Sequence, residues 1–471
     1  MLEREAVKFL FLLRLFLKSL LSALLTEAID SRTSLTKYYM REKLLSHWHW
    51  FLRNWFIVLV LIAGLRVSMT PGRFIKGMIW SDAEGYYLYL PAVLINGGFE
   101  DLDVRSEVQF PLYEDTNKRF TKYTYGVALM ELPFFLLAHF VASIMGQADG
   151  YSYPYIIGLQ LSGIFYGLMG LYFMKKILEE HFRPLVVMMT VFGFFLGTNL
   201  YHYILQHPSM SHVYSFFLFG LLVWITPKFY HSPSWRVFGV MGLLLGLVVL
   251  IRPTNILIGL YILLYGIRSS AALKERFQFL GRHAWKVLFA ATASFLVFLP
   301  QFAYWKYISG DWLIYSYGDE GFNWLNPRID MVLFNIKNGW LLFSPMAGLA
   351  VVGGLLGSWK NPYNIAPITI IWLLTLYITA SWWCWWFGGA FGHRNFVEYY
   401  MILAIPYAWL FAKVFESPYR PLKVFMVLLW LVLLYYSYFL AVFYHGPHYD
   451  WDSWKLVVNY MWHFNFGGEF Q

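Results

Sequence analysis

The run Ser81, Asp82, Ala83, Glu84, Gly85, Tyr86, Tyr87 sets two carboxylates a short way beyond the first strongly apolar stretch of the chain, next to Trp80. An ionisable group so close to hydrocarbon needs a partner or a task. The task one carboxylate can perform at that boundary is to take a proton from a hydroxyl. If the hydroxyl attacks a sugar whose leaving group is a phosphate, a single acid suffices, because a phosphate monoester has a second pKa of about 6 and departs without a proton donor. The protein must then supply a base for the acceptor and cations for the leaving phosphate. Glycoside hydrolysis makes a different demand, since its alkoxide leaving group requires a second, protonated carboxyl. Asp82 is read as the base. Glu84, two residues on, diverges from it if the run is helical and shares its side if the run is an extended turn; as a neighbour it raises the pKa of Asp82 or orients the acceptor. The plainer reading of Asp82 is a helix cap or a surface charge.

Three places offer cations. Lys122 opens Lys122, Tyr123, Thr124, Tyr125, Gly126, and an ammonium there can serve a phosphate as a point charge or snorkel to lipid headgroups. Arg252 lies in Leu250, Ile251, Arg252, Pro253, Thr254, Asn255, a break between two apolar runs, where an arginine faces a polar cavity or pairs with an anion. Arg394 ends the sequence Trp382, Trp383, Cys384, Trp385, Trp386, Phe387, Gly388, Gly389, Ala390, Phe391, Gly392, His393, Arg394, whose glycines permit a tight turn and whose rings offer faces for a sugar or a belt at the interface. Tyr86, Tyr123, His207, His212 and His393 are the candidates to bind sugar or acceptor hydroxyls. The spacing of His207 and His212 matches no standard ligand set and no carboxylate or cysteine accompanies them, so a divalent metal is the lesser option and no cofactor is firmly implied.

These residues must be carried by membrane helices. The chain is 59% apolar, 13% charged and 21% aromatic, against about half apolar and about a quarter charged in a soluble domain. A formal charge of +9 reflects lysine and arginine kept in inner loops, and no nucleic-acid partner is inferred from it. Cys384 is the single cysteine, which excludes an intramolecular disulfide. Residues 1–53 form a basic segment in which Arg14 and Lys18 interrupt the apolar run from Val7 to Leu25. Each would cost roughly 2.5 to 3.5 kcal/mol at the centre of a span, so the segment is expected as an amphipathic cytoplasmic helix on the bilayer. Residues 54–445 form the transmembrane domain, with outer loops 71–125 and 306–338, and 446–471 form an outer tail.

Apolar runs near 54–70, 154–176, 184–201, 212–226, 236–251, 254–268, 286–305, 339–357, 364–384, 397–415 and 421–443 give about eleven spans. The run 126–146, with Glu131, Pro133 and His139, is also long enough. Counting it puts the basic stretches after residues 174 and 267 outside; omitting it puts them inside, so it is expected to lie along or re-enter the outer surface. With that choice Asp82, Glu84, Lys122, His202, His207, His212, Arg252, Asp319, Glu320, Arg328, His393 and Arg394 share the outer face.

In their order and common sidedness these residues resemble the GT-C superfamily of integral-membrane glycosyltransferases, among them protein O-mannosyltransferases and lipid A aminoarabinose transferases. The similarity runs from about residue 54 to 415. It rests on Asp82 in the first outer loop, Lys122 before Gly126 and Pro133, the Arg252-Pro253-Thr254 run and the late Gly388 to Arg394 stretch. The bacterial branch is nearest, by Asp82 followed by Gly85, Tyr86, Tyr87, Leu90 and Pro91, then Asp149, Gly150, Tyr151 and Ser152. The resemblance implies an all-α polytopic bundle with outer juxtamembrane helices in the bacterial inner membrane. It also implies an inverting transfer from a polyprenyl-phosphate sugar to a lipid, glycan or protein hydroxyl on the periplasmic side, with Asp82 as base and Lys122, Arg252 and Arg394 holding the phosphate. The chain departs from the pattern twice. Ala83 separates the two acids that many relatives place side by side, and His212 stands where many carry an acid at the outer start of a later helix, which argues against a second carboxylate or a carboxylate-bound metal. Two other readings stay open. A transporter or lipid flippase would hold its ionisable groups near the midplane and show repeats, and a non-catalytic cell-envelope scaffold would tolerate loss of the outer polar groups.

Overall fold

The computed structural model describes residues 54–69, 79–100, 102, 104, 110–114, 116–357, 361–443 and 451–463. The expected amphipathic segment 1–53, with Arg14 and Lys18, lies outside the described residues, as do 446–450 and 464–471 of the tail. The described chain is helical, and its only extended pairings are isolated bridges such as Glu100 with Lys118 and Phe322 with Trp382.

The principal helices are α1 (Phe56–Met69), α2 (Asp82–Tyr87), α3 (Gly126–Ile144), α4 (Tyr153–Glu179), α5 (Pro184–Leu196), α6 (Ser211–His231), α7 (Trp235–Ile251), α8 (Ala284–Leu296), α9 (Leu299–Ser309), α10 (Met346–Leu356), α11 (Ile365–Ser381), α12 (Tyr400–Glu416), α13 (Arg420–Phe443) and α14 (Trp451–Trp462). Among the described residues, five stretches are long and apolar enough to cross a membrane: Gly126–Ile144, Tyr153–Glu179, Ser211–His231, Ala284–Ser309 and Arg420–Val442. This is the architecture of a membrane protein, in which each helix satisfies its own backbone. Six shorter apolar helices accompany them. One of the five is α3, the segment expected from its flanking charges to lie along or re-enter the outer surface.

Local chemistry sets the helix starts. Pro154 and Pro184 sit in the first turns of α4 and α5, where the missing N–H costs nothing. The hydroxyl of Ser234 caps α7 by accepting from the Val237 N–H at 3.3 Å. Side-chain contacts then fix helix directions. Tyr166 meets Tyr214 at 5.5 Å, and Phe173 meets Phe217 at 5.9 Å and Trp224 at 5.5 Å, so α4 and α6 run parallel. Phe134 meets Phe165 at 5.6 Å while His139 bonds the Tyr155 hydroxyl at 2.5 Å, so α3 runs antiparallel to α4. In the described part of the first polar loop, Tyr87, Tyr89, Phe99 and Phe110 pack with Phe135, Tyr155, Tyr304 and Trp305 into a second apolar cluster beside the main core. That cluster holds α2 against α3 through Tyr87 and the residues after it against α9 through Tyr89 and Phe99. The tail helix α14 is also seated, with Trp454 against Phe343 at 5.3 Å and the Met461 carbonyl accepting from Tyr435 at 3.0 Å.

Candidate active site

Five chain breaks meet at one end of the bundle: the start of α2, the residues before α3, the start of α6, the end of α7 and the residues before α12. Each brings an ionisable side chain.

Asp82 is the first residue of α2, and Ser81 before it adopts φ 56° and ψ −132°. That region costs a residue with a side chain about 1–3 kcal/mol, and such strain collects at functional sites. Asp82 Oδ2 lies 2.7 Å from Arg394 Nη2, and Oδ1 accepts the Tyr123 hydroxyl at 2.5 Å. Burial by itself would favour the neutral acid. The Arg394 charge, the bonds from Tyr123 and Arg394, and Lys122 more than offset it, holding the carboxyl below the usual carboxylate range. Burial and the same carboxylate push the Tyr123 phenol up, so it keeps its proton and donates. Because the run is helical, Glu84 is turned about 200° around the axis from Asp82 and is fully buried on another face. The net shift of Asp82 is downward, toward the charged form, with Arg394 the largest pull, the reverse of the rise expected from a like-charged neighbour.

Lys122 Nζ lies 2.5 Å from Glu320 Oε1, between the rings of Tyr317 at 5.2 Å and Tyr123 at 5.8 Å. Its carbonyl accepts from Ser316 at 2.8 Å, tying the second polar loop to the first. Gly126 follows because the chain passes close under the α7 terminus; a Cβ there would come within 2.9 Å of the Ile251 backbone nitrogen.

Arg252 leaves α7 in extended backbone. Its Nη2 donates to Asn395 Oδ1 at 2.7 Å, Nη1 lies 3.2 Å from His212 Nε2, and Nε lies 3.4 Å from Glu398 Oε1. His212 Nδ1 is 2.9 Å from Glu398 Oε2. A guanidinium only donates, so the network assigns Nε2 as acceptor and places the His212 proton on Nδ1, facing the carboxylate. This corrects the sequence-based expectation of no second carboxylate at His212: Glu398 supplies it from just before α12. Asn395, Tyr317 and the pairing role of Glu320 were also outside the sequence reading. An acid four residues beyond Arg394, at the edge of an apolar run, was the available signal.

Arg394 is delivered by a turn in which Phe387, Gly388 and Gly392 have φ of 54°, 61° and 60°. Asn338 braces it by donating to the Trp386 and Gly388 carbonyls at 2.8 and 3.0 Å, and His393 Nε2 donates to the Trp385 carbonyl at 2.7 Å. Burial pushes the His393 imidazole down to about 3, so it is a neutral brace. At Gly392 a Cβ would also lie 2.8 Å from that of Phe343. Gly392→Ala is expected to cost about 1–3 kcal/mol, seen as a lower apparent unfolding temperature, and to weaken any activity that depends on Arg394. A variant that melts with the wild type would show that the turn does not need glycine.

Of the residues singled out in the sequence, Asp82, Tyr86, Lys122, Tyr123, His212, Arg252 and Arg394 come together. The Tyr86 ring is tilted against that of Tyr123, centroids 4.6 Å apart, and lies in the fields of Asp82, Arg252 and Arg394. His393 supports the group from behind. His207 is instead exposed and stacked 4.6 Å from His202. The Arg252 Nε–H faces Glu398 without a hydrogen bond, and Arg394 keeps a buried Nε–H with no hydrogen-bond acceptor, a donor left for an anion. Among the described residues no three His, Cys, Asp or Glu side chains are placed to hold a metal ion. A cleft lined by His181, Arg183, Tyr363, Lys413 and Glu416 lies at the other end of α12 and is separate from this group. Comparison of the chain with protein-family models, with curated proteins and with solved structures finds no match.

Proposed function

We propose that the protein is a polyprenyl-phosphate-dependent glycosyltransferase of the GT-C type, with about eleven spans and an active site on the outer, periplasmic face of a bacterial inner membrane. The observation that carries this reading is the group itself: the Asp82 carboxylate, held ionised by Arg394 and Lys122, at a convergence of helix ends that also brings in Arg252, with Glu320 and Glu398 facing Lys122 and Arg252. The acceptor oxygen forms a bond to the anomeric carbon while the bond from that carbon to the donor phosphate breaks. The acceptor proton passes to Asp82, and the polyprenyl phosphate departs with its bonding electrons, stabilised by the cations. One displacement inverts the anomeric centre. Arg394 serves twice, first on Asp82 and then on the phosphate, which frees one Asp82 oxygen for the acceptor.

The reading is tested by incubating the purified protein in lipid discs with polyprenyl-phosphate sugars and with serine- or threonine-bearing peptides, glycans or lipid A as acceptors. A glycoside of inverted configuration, with release of polyprenyl phosphate, is the expected product. Inactivity across all donors would turn attention to transport or scaffolding.

A further inference from the structure

Each cation of the site is matched to a carboxylate of the site: Arg394 to Asp82 at 2.7 Å, Lys122 to Glu320 at 2.5 Å and Arg252 to Glu398 at 3.4 Å. The three pairs differ in how firmly they are held. Glu398 is fully buried and also binds His212, and Asp82 also binds Tyr123. Glu320 lies in the second polar loop, where its side chain is 27% exposed and that of Lys122 30% exposed. The loop has other anchors. Ser316 donates to the Lys122 carbonyl, and the Gly321 carbonyl accepts from the Trp383 N–H at 3.0 Å.

We propose that Glu320 is a displaceable stand-in for the donor phosphate: it neutralises Lys122, and a polyprenyl monophosphate headgroup takes its place. The inference rests on the donor reading given above. A carboxylate and a phosphate seek the same ammonium donors, and two anions on one lysine repel each other. Glu320 therefore competes with the ligand. Removing its charge strengthens phosphate binding, whereas loss of a ligand-binding or purely structural residue would weaken it or leave it unchanged.

The test is equilibrium binding to the full-length protein in phosphatidylcholine discs. The ligands are a polyprenyl monophosphate, the corresponding uncharged polyprenol and phosphatidic acid. Glu320→Gln is expected to tighten polyprenyl phosphate binding about three- to tenfold and Lys122→Gln to weaken it about tenfold, with polyprenol binding unmoved by either. The proposal is overturned if Glu320→Gln binds polyprenyl phosphate no more tightly than the wild type. A separate pattern, in which the wild type binds polyprenol or phosphatidic acid as well as polyprenyl phosphate, would remove the donor reading and this inference with it.

Discussion

Asp82→Asn is expected to lower sugar transfer about 10²- to 10⁴-fold, the contribution of a positioned base. The substitution keeps the shape of the side chain and can still accept from Tyr123, but an amide cannot take the acceptor proton. It also leaves Arg394 facing a neutral group, so polyprenyl phosphate binding should hold or tighten while turnover falls. That split separates loss of the base from loss of the fold. The pH profile adds a second check. In the free protein the Asp82 carboxyl is held below its ordinary value by Arg394, Tyr123 and Lys122 against the effect of burial. It is therefore ionised throughout the neutral range, and the acid limb of kcat/KM falls below the usual carboxylate range instead of near neutrality. Transfer by Asp82→Asn at a rate close to the wild type would take the base role from this residue.

Glu398→Ala is expected to destabilise the protein by about 3–5 kcal/mol, the usual cost of removing one member of a buried ion pair. Glu398 is 1% exposed, accepts from His212 Nδ1 at 2.9 Å and faces Arg252 at 3.4 Å. Its loss leaves a guanidinium that is 17% exposed without its carboxylate and a buried imidazole N–H without an acceptor. Membrane proteins commonly unfold irreversibly, so the appropriate measure is the unfolding rate or the apparent unfolding temperature at a fixed scan rate. Glu398→Gln keeps an acceptor for His212 and should lose less. Equal melting of the wild type and both variants would show that the pair adds nothing to the fold.

How much of the site was legible in the sequence depends on how each residue announces itself. Asp82, Lys122, Arg252 and Arg394 stand out because each charge interrupts or borders an apolar run, where an unexplained charge is conspicuous. Glu398 has the same property but borders the run that begins α12, next to a stretch already marked by Arg394, and its local pattern does not say which charge it meets. His207 looked equivalent to His212 for the same reason; one is exposed on His202 and the other is buried on Glu398. Asp82 and Glu84 could not be separated without knowing that the run is helical, because the angle between two side chains two apart depends on backbone conformation.

The class of molecule and most of its helices follow from the order of the amino acids. Those have local causes: apolar runs long enough for a bilayer, prolines in first turns, glycines at tight turns and a charge at each break. The tertiary structure alone decided which charge meets which. Lys122 finds Glu320 across 198 residues, His212 finds Glu398 across 186, and Arg252 finds Asn395 across 143. Such partners are chosen by helix packing that brings distant chain breaks to one end of the bundle, where low dielectric makes an unmatched charge costly, and no local pattern in the sequence encodes that choice.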